Sequence, residues 1–241
     1  MNNNDFLNEL IETIKVKKVY NNKNVIESYA DKLSFWKESV LKSNIRKWDD
    51  DLINLENKFL KSLLTKRGIC NCYELNEEYQ LSDKIFVWCG DEAAICIDAI
   101  AIPVTFELND SENNYLYDLY YYNGVKLRLK CLDAMNDTKL ESSELVITRS
   151  YNILSDFIIH VNYSYDDLEC FKKSILNIMN CCRINMIKTI MLCFDKEDMV
   201  YYKIALDVVR DYLNKFGVFF DKVIFKANKE ILIEDLDNIE L

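Results

Sequence analysis

The residue types that could carry out chemistry are scarce and scattered in this sequence. It contains one histidine, His160, nine cysteines and four glycines. A single histidine excludes a pair of imidazoles and any multi-histidine metal site. Average usage would place about 17 glycines in a chain of this length. The four present lie far apart, so we expect no glycine-rich phosphate-binding loop.

The remaining candidates for catalysis are thiols and adjacent carboxylates. A cysteine nucleophile activated by His160 is conceivable, but nothing in the sequence indicates which cysteine would serve. Cys70 and Cys72 lack a second pair at zinc-finger spacing, and the neighbouring acids Asp166 and Asp167 are typical of a helix cap. The sequence therefore predicts no catalytic residue, no metal ligand and no cofactor.

The elements that must position any site fall into two zones. Apolar residues recur at helical spacing through most of the first third of the chain. After about Leu81, short β-branched and aromatic runs of strand length alternate with helical patterns. Such alternation favours a parallel or mixed sheet with helices on both faces. Strands are expected at 85–89, 95–102, 145–151, 157–161, 187–194 and 222–225. Those at 145–151 and 157–161 are joined by few residues, so we predict an antiparallel pair.

The change of pattern predicts a helical N-terminal extension over 1–80 and an α/β domain over 81–241. The chain has one proline, Pro103, so no stiff linker marks this boundary. The last twelve residues carry apolar positions at helical spacing with acids between them. They indicate either a docked terminal helix or a motif that binds a partner.

Three segments resemble those of a known family when they are taken in order. Residues 88–93 read Trp-Cys-Gly-Asp-Glu-Ala and are followed at 97–100 by Ile-Asp-Ala-Ile. Residues 124–131 begin with glycine and end with cysteine, and 147–152 end in Tyr-Asn ahead of a strand that carries His160. In order and spacing these segments resemble the macrodomains, which bind ADP-ribose. The likeness spans about 85–225.

The resemblance implies a three-layer α/β/α macrodomain-like mixed sheet preceded by a helical N-terminal extension. That extension is similar to the one found in zinc-dependent bacterial macrodomains, which remove ADP-ribose from other proteins. In such proteins, a strand ending in Asn-Ala-Ala-Asn holds the ribose, and cysteine and histidine ligands hold the zinc. Here 102–105 read Ile-Pro-Val-Thr, and no cysteine or histidine lies between Cys96 and Cys131.

Two further positions depart from the pattern that the resemblance implies. The helix expected after the zinc ligands is rich in tyrosine, including Tyr115, Tyr117 and Tyr120, which could stack on a base or fill vacated space. The glycine turn expected to hold the pyrophosphate is replaced by 195–198, Asp-Lys-Glu-Asp. Carboxylates there would repel a diphosphate, although at a helix N-terminus they would act as caps.

The candidate binding residues that remain are Asp91 and Asn152. The resemblance places Asp91 where the family's aspartate accepts a hydrogen bond from the adenine amino group, and Asn152 lies in the Tyr-Asn turn. Asp91 is equally typical of an aspartate that caps a turn after Gly90. His160, at the end of an apolar strand, is more typical of a core histidine than of a functional one.

The charge balance restricts the partners. A net charge of −10 disfavours nucleic acid and anionic membranes unless basic residues gather locally. The polar N-terminal residues do not resemble a signal peptide, and we expect a cytosolic protein. Two functions remain open. The first is a non-catalytic macrodomain-like protein that acts through protein interaction. The second is an ADP-ribose or nucleotide binding protein, or a hydrolase, with a rebuilt site.

Overall fold

The computed structural model describes residues 3–20, 26, 28–43, 47–66, 80–104, 114–135, 140–196 and 198–227. The predicted helix over the last twelve residues lies outside this part of the chain, as do Cys70 and Cys72. The helices are α1 (Asn3–Val16), α2 (Tyr29–Lys42), α3 (Asp50–Lys66), α4 (Asn114–Met135), α5 (Leu168–Ile184) and α6 (Met199–Phe216). The strands are β1 (Gln80–Ser82), β2 (Ile85–Trp88), β3 (Ala99–Pro103), β4 (Leu145–Arg149), β5 (Phe157–Val161), β6 (Thr189–Leu192) and β7 (Lys222–Lys226).

Within the described ranges, the strands form one mixed sheet of seven in the order β1-β2-β7-β6-β3-β5-β4. The five inner strands are parallel, and the two outermost, β1 and β4, run antiparallel to their neighbours. The predicted mixed sheet and the predicted β4–β5 pair are therefore confirmed. Below, the carboxyl end of the sheet is where the parallel strands end, and the amino end is where they begin.

Both faces of the sheet are covered by helices. Alternate strand residues such as Val87, Ala101 and Ile159 pack with α5 and α6 in one apolar cluster. Their sequence neighbours, such as Phe86 and Ile100, pack on the opposite face with α4. This is the two-sided burial that makes parallel strands read as continuous apolar runs.

A third layer of helices lies outside α4. Helices α1, α2 and α3 share an apolar cluster with Tyr121 and Val125 of α4. Ser28 begins α2 with a capping box, because its hydroxyl accepts from the Asp31 N–H while Asp31 accepts from the Ser28 N–H. The predicted helical extension is present, and it packs mainly against the outer side of α4, while Leu64 of α3 joins the cluster on the sheet face. Among the described helices, none is long and apolar enough to cross a bilayer.

Backbone amides at the amino end of the sheet are held by one carboxylate. Asp98, immediately before β3, accepts hydrogen bonds from the N–H groups of Lys188 (2.7 Å) and Thr189 (2.9 Å) at the start of β6. Its carbonyl oxygen also accepts from Asp156 and Phe157 at the start of β5. These contacts align the beginnings of three neighbouring strands.

Candidate functional site

The turn that carries Asp91 lies at the carboxyl end of the sheet, directly after β2. One Asp91 carboxylate oxygen accepts a hydrogen bond from the Ala93 N–H at 2.9 Å and so caps a short 3-10 helix. The Trp88 indole donates to the Asp91 carbonyl oxygen at 3.1 Å and lies over Gly90, where a Cβ would come within 2.4 Å of the ring. The capping role suggested by the sequence is confirmed. The Asp91 side chain remains exposed, so it can still contact a ligand.

A partly buried ion pair ties this turn to the end of β7. The Glu92 carboxylate lies 3.6 Å from the ammonium group of Lys226. Burial raises the pKa of Glu92, and the charge of Lys226 opposes that shift. The neighbouring thiol of Cys193 is buried, and this burial raises its pKa well above the ordinary value. Cys193 is therefore held as a thiol, which is a poor nucleophile.

Aromatic rings pack at the carboxyl end of β5 and β6. The rings of Tyr163 and Phe194 lie 5.5 Å apart, and those of Tyr165 and Tyr201 lie 4.8 Å apart. The Tyr163 hydroxyl is buried and makes no hydrogen bond to any described residue. Burial raises the pKa of that hydroxyl well above its ordinary value. The region next to the end of β6 is thus occupied by the chain's own side chains.

The N-terminus of α6 also lies at the carboxyl end of the sheet. Asp198 is its N-cap, and one carboxylate oxygen accepts a hydrogen bond from the Val200 N–H at 3.0 Å. A helix N-terminus is a common place for a ligand phosphate. Here a carboxylate from the chain already occupies that position, which confirms the capping role suggested by the sequence. Glu197, the other acid of this loop, lies outside the described residues.

Asn152 lies at the amino end of the sheet, in the connection from β4 to β5. Its amide nitrogen donates to the Asn57 side-chain oxygen at 3.2 Å and to the Asn123 carbonyl oxygen at 3.4 Å. The Asn123 side-chain oxygen in turn accepts from the Tyr151 N–H at 2.8 Å. Asp91 and Asn152 are therefore at opposite ends of the sheet, and the structure does not bring them together.

His160 lies within the core, as the sequence suggested. Its Nε2 atom is 2.9 Å from the Thr148 hydroxyl oxygen and 3.5 Å from the Cys131 sulfur. All three residues are buried. Burial lowers the pKa of His160 to about 3, so the imidazole is neutral at physiological pH. The cysteine next to the histidine is thus Cys131, but no substrate can reach the buried pair.

The residues present do not fit the zinc ion that the resemblance implies. In the described part of the chain, no three histidine, cysteine or acidic residues come together as metal ligands. The 105–113 segment, which includes Thr105, is not described. By sequence it contains no histidine or cysteine. The side chains of Tyr115, Tyr117 and Tyr120 are also outside the described part, so their stacking or filling role stays a prediction.

A second concave region lies at the amino end, between α3, α4 and the β4–β5 connection. It is open to solvent, has a volume of about 470 Å³ and is lined in part by the lysines Lys58, Lys61 and Lys126. Sequence reasoning missed it because these lysines lie in two segments 65 residues apart and form no basic run. The spacing of Lys58 and Lys61, one helical turn apart, was the one signal available.

The order of the strands and the helical layers on both faces define the macrodomain fold. Solved structures with this arrangement resemble the chain. The Trypanosoma brucei macrodomain superposes with a TM-score of 0.59 at 13% identity, covering 90% of this chain and 94% of that one. Its complex with ADP-ribose gives the same TM-score at 15% identity, covering 88% and 93%.

Two further likenesses are confined to a smaller part of this chain. The macro domain of ganglioside induced differentiation associated protein 2 has a TM-score of 0.55 at 20% identity, covering 66% of this chain and 83% of that domain. The Oceanobacillus iheyensis macrodomain has a TM-score of 0.55 at 16% identity, covering 65% and 90%. At these identities the likeness defines the fold alone. No protein-family model matches the sequence, and no curated protein matches it.

Proposed function

We propose that this chain is a non-catalytic protein of the macrodomain fold that acts through protein interaction. The observation that carries the proposal is the Asp198 cap of α6 at the carboxyl end of the sheet. The amides that would receive a ligand phosphate hold a carboxylate from the chain itself, and a phosphate brought there would meet like charge. The packed rings of Tyr163 and Phe194 beside it leave less room for a ligand.

Absence of the metal ligands supports the same proposal. The resemblance implies cysteine and histidine ligands between Cys96 and Cys131, and the sequence has neither there. The buried His160 cannot replace them, because its ring nitrogen is held within the core. A zinc ion of the kind that the resemblance implies, which would polarise the bond to be hydrolysed, therefore lacks its cysteine and histidine ligands in this segment.

Exposed apolar side chains support the interaction role. The C-terminal ends of α5 and α6 lie side by side, with the Arg183 guanidinium 4.3 Å from the centre of the Phe216 ring. Large apolar residues next to these ends are exposed: Ile184, Met186 and Val218. A cluster of large exposed apolar residues is one of the marks of a surface that a protein partner covers.

A second candidate function is the binding of ADP-ribose or a related nucleotide through Asp91. The observation that favours it is the exposed Asp91 carboxylate, of which the Ala93 amide occupies one oxygen. A solved macrodomain structure contains ADP-ribose. This candidate requires phosphate contacts other than those at the N-terminus of α6.

Calorimetry and a hydrolysis assay separate the two candidates. The purified chain is titrated with ADP-ribose beside Asp91→Ala, and both are incubated with a mono-ADP-ribosylated protein with and without added Zn²⁺. We expect no released ADP-ribose and no change in the titration on removing Asp91. Micromolar binding that disappears in Asp91→Ala would establish the second candidate, and release of ADP-ribose would contradict the non-catalytic proposal.

A further inference from the structure

The cavity at the amino end of the sheet has an unusual charge for this protein. The chain has 30 basic and 40 acidic residues. Yet among the residues that the structure describes, three lysines and no carboxylate line the cavity. Lys58 and Lys61 lie one turn apart on the same face of α3, where their charges repel each other. None of the three lysines forms an ion pair with a described residue.

The neutral part of the lining supplies hydrogen-bond donors. Asn54 and Asn57 lie on the same face of α3 as the two lysines, and Asn152 faces them. Because the Asn57 side-chain oxygen accepts from Asn152 at 3.2 Å, the orientation of the Asn57 amide is fixed. The Asn57 amide nitrogen has no partner in the described part of the chain and can donate to a ligand.

The aromatic residue of the cavity positions the third cation. The Lys126 ammonium group lies 4.8 Å from the centre of the Tyr151 ring. A cation–π contact of this kind holds an ammonium group in place without neutralising its charge. The lysine charge therefore remains available to an anion at the mouth of the cavity.

We propose that this cavity binds a small multivalent phosphate anion, either free pyrophosphate or the diphosphate of a nucleotide. Three ammonium groups and an amide donor match the charge and the oxygen acceptors of a diphosphate. A volume of about 470 Å³ is that of a small-ligand site. The net charge of −10 argues against a nucleic-acid backbone, which would extend beyond the cavity over an acidic surface. The site is distinct from the Asp91 turn, at the opposite end of the sheet.

The test is calorimetry of the full chain with sodium pyrophosphate at low ionic strength. We expect saturable binding in the parent protein. The affinity should fall about tenfold in Lys58→Ala, because one charge-assisted hydrogen bond is lost. It should fall further in the Lys58→Ala/Lys61→Ala double variant. The control is Lys188→Ala/Lys215→Ala, which removes the same charge from exposed positions elsewhere. That control and Asp91→Ala should bind as the parent protein does.

Asn57→Asp separates a binding role from a structural one. The new carboxylate keeps the oxygen that accepts from Asn152, and it places a negative charge among the lysines. We expect this variant to lose pyrophosphate binding while its melting temperature rises, because the charge relieves the repulsion between Lys58 and Lys61. A merely structural defect would lower both the affinity for pyrophosphate and the melting temperature.

Three results would overturn the proposal. They are an absence of binding heat in the parent protein, an unchanged affinity in the Lys58→Ala/Lys61→Ala variant, and an equal loss in the Lys188→Ala/Lys215→Ala control. Single-stranded RNA is titrated in parallel. Binding of RNA through the same lysines, tighter than that of pyrophosphate, would replace the small anion with a nucleic acid. Free phosphates and nucleotides are then distinguished by comparing pyrophosphate with ADP.

Discussion

Glu56 of α3 is a completely buried carboxyl group with two hydrogen-bond donors around it. The Trp36 indole donates to one of its oxygens at 2.9 Å, and the Val125 N–H donates to the other at 2.8 Å. Burial raises the pKa of Glu56 to about 7, although both hydrogen bonds act to lower it. The Glu56 oxygens thus join α3 to α2 and α4 by accepting these two hydrogen bonds, and the carboxyl group itself titrates near neutrality.

This raised pKa predicts a pH-dependent stability. Between the unfolded value of 4.5 and the folded value of about 7, the folded protein binds more protons at Glu56 than the unfolded chain. The free energy of unfolding should therefore fall as pH rises through this window, by roughly 3 kcal/mol from this group. Urea unfolding at pH 5, 6, 7 and 8, compared between the parent protein and Glu56→Gln, measures the contribution.

The comparison with Glu56→Gln is needed because other groups titrate in the same range. The pKa of His160 is lowered to about 3, so below about 6.5 the unfolded chain takes up the proton and stability rises with pH. This trend opposes that of Glu56. It is present in both proteins, so it cancels when the unfolding free energy of Glu56→Gln is subtracted from that of the parent protein at each pH. Glu56→Gln should also be less stable at pH 5, because its amide nitrogen would face a donor. Parallel curves for the two proteins would contradict the prediction.

Several residues were predictable because their partners are close in sequence. The caps formed by Asp91, Asp167 and Asp198 involve amides two or three residues away, and the sequence indicated all three. Glu56 was not predictable, since its donors lie 20 and 69 residues away. Nothing local distinguishes it from an exposed glutamate on a helix.

The helix α4 is interrupted at Gly124. This residue has φ 70° and ψ −168°, a combination that is almost restricted to glycine. A Cβ there would come within 2.7 Å of a Glu56 carboxylate oxygen. After the interruption the helix begins again at Val125, whose N–H donates to Glu56. The sequence indicated the tyrosine-rich helix before Gly124 but not the break at this residue.

Gly124→Ala should therefore lower the free energy of unfolding by about 3 kcal/mol, from backbone strain and the contact with Glu56. Asparagine tolerates the ordinary left-handed region but not this ψ, so Gly124→Asn should cost as much. Chemical denaturation of the two variants provides the measurement. A loss below about 1 kcal/mol, or a clear advantage of asparagine, would show that the break is not required.

The strands were more predictable than the breaks between elements. Long apolar runs such as 157–161 and 222–225 identified β5 and β7, because buried parallel strands leave no polar alternation. The sequence did not indicate β1, which has three residues at the outside of the sheet. The strand predicted at 95–102 begins four residues before β3 does. Residues 95–98 are as apolar as a buried strand, but in the structure they connect the carboxyl end of the sheet to its amino end.

At the scale of the whole molecule, α4 is buried from two sides. Leu119 and Leu127 face the cluster on the sheet, whereas Tyr121 and Val125 face the N-terminal helices. The fold class followed from the alternation of strands and helices. The side on which the extension docks was not predictable, because apolar and aromatic residues lie on more than one side of α4. Their pattern does not show which layer covers which face. The domain boundary near residue 80 stays a prediction.

The double burial of α4 predicts that the α/β part is not stable alone. A fragment of residues 80–241 would expose Tyr121 and Val125 and lose the Glu56 contact at the restart of α4. We expect little soluble fragment, and no cooperative thermal transition by circular dichroism. Co-expression with residues 1–79 should restore both the yield of soluble protein and the cooperative thermal transition. A fragment that melts cooperatively by itself would show that the extension is a separate domain.

The walls of the lysine-lined cavity come from α3, α4 and the β4–β5 connection. It exists only while the N-terminal helices are docked, so occupancy and docking are linked thermodynamic variables. An anion present at one hundred times its dissociation constant would stabilise the docked state by about 2.7 kcal/mol. Because this linkage is reciprocal, any change that loosens α3 from α4 must weaken the binding of the anion by an equal factor. The affinity of the cavity for an anion would therefore measure how firmly the N-terminal helices are docked.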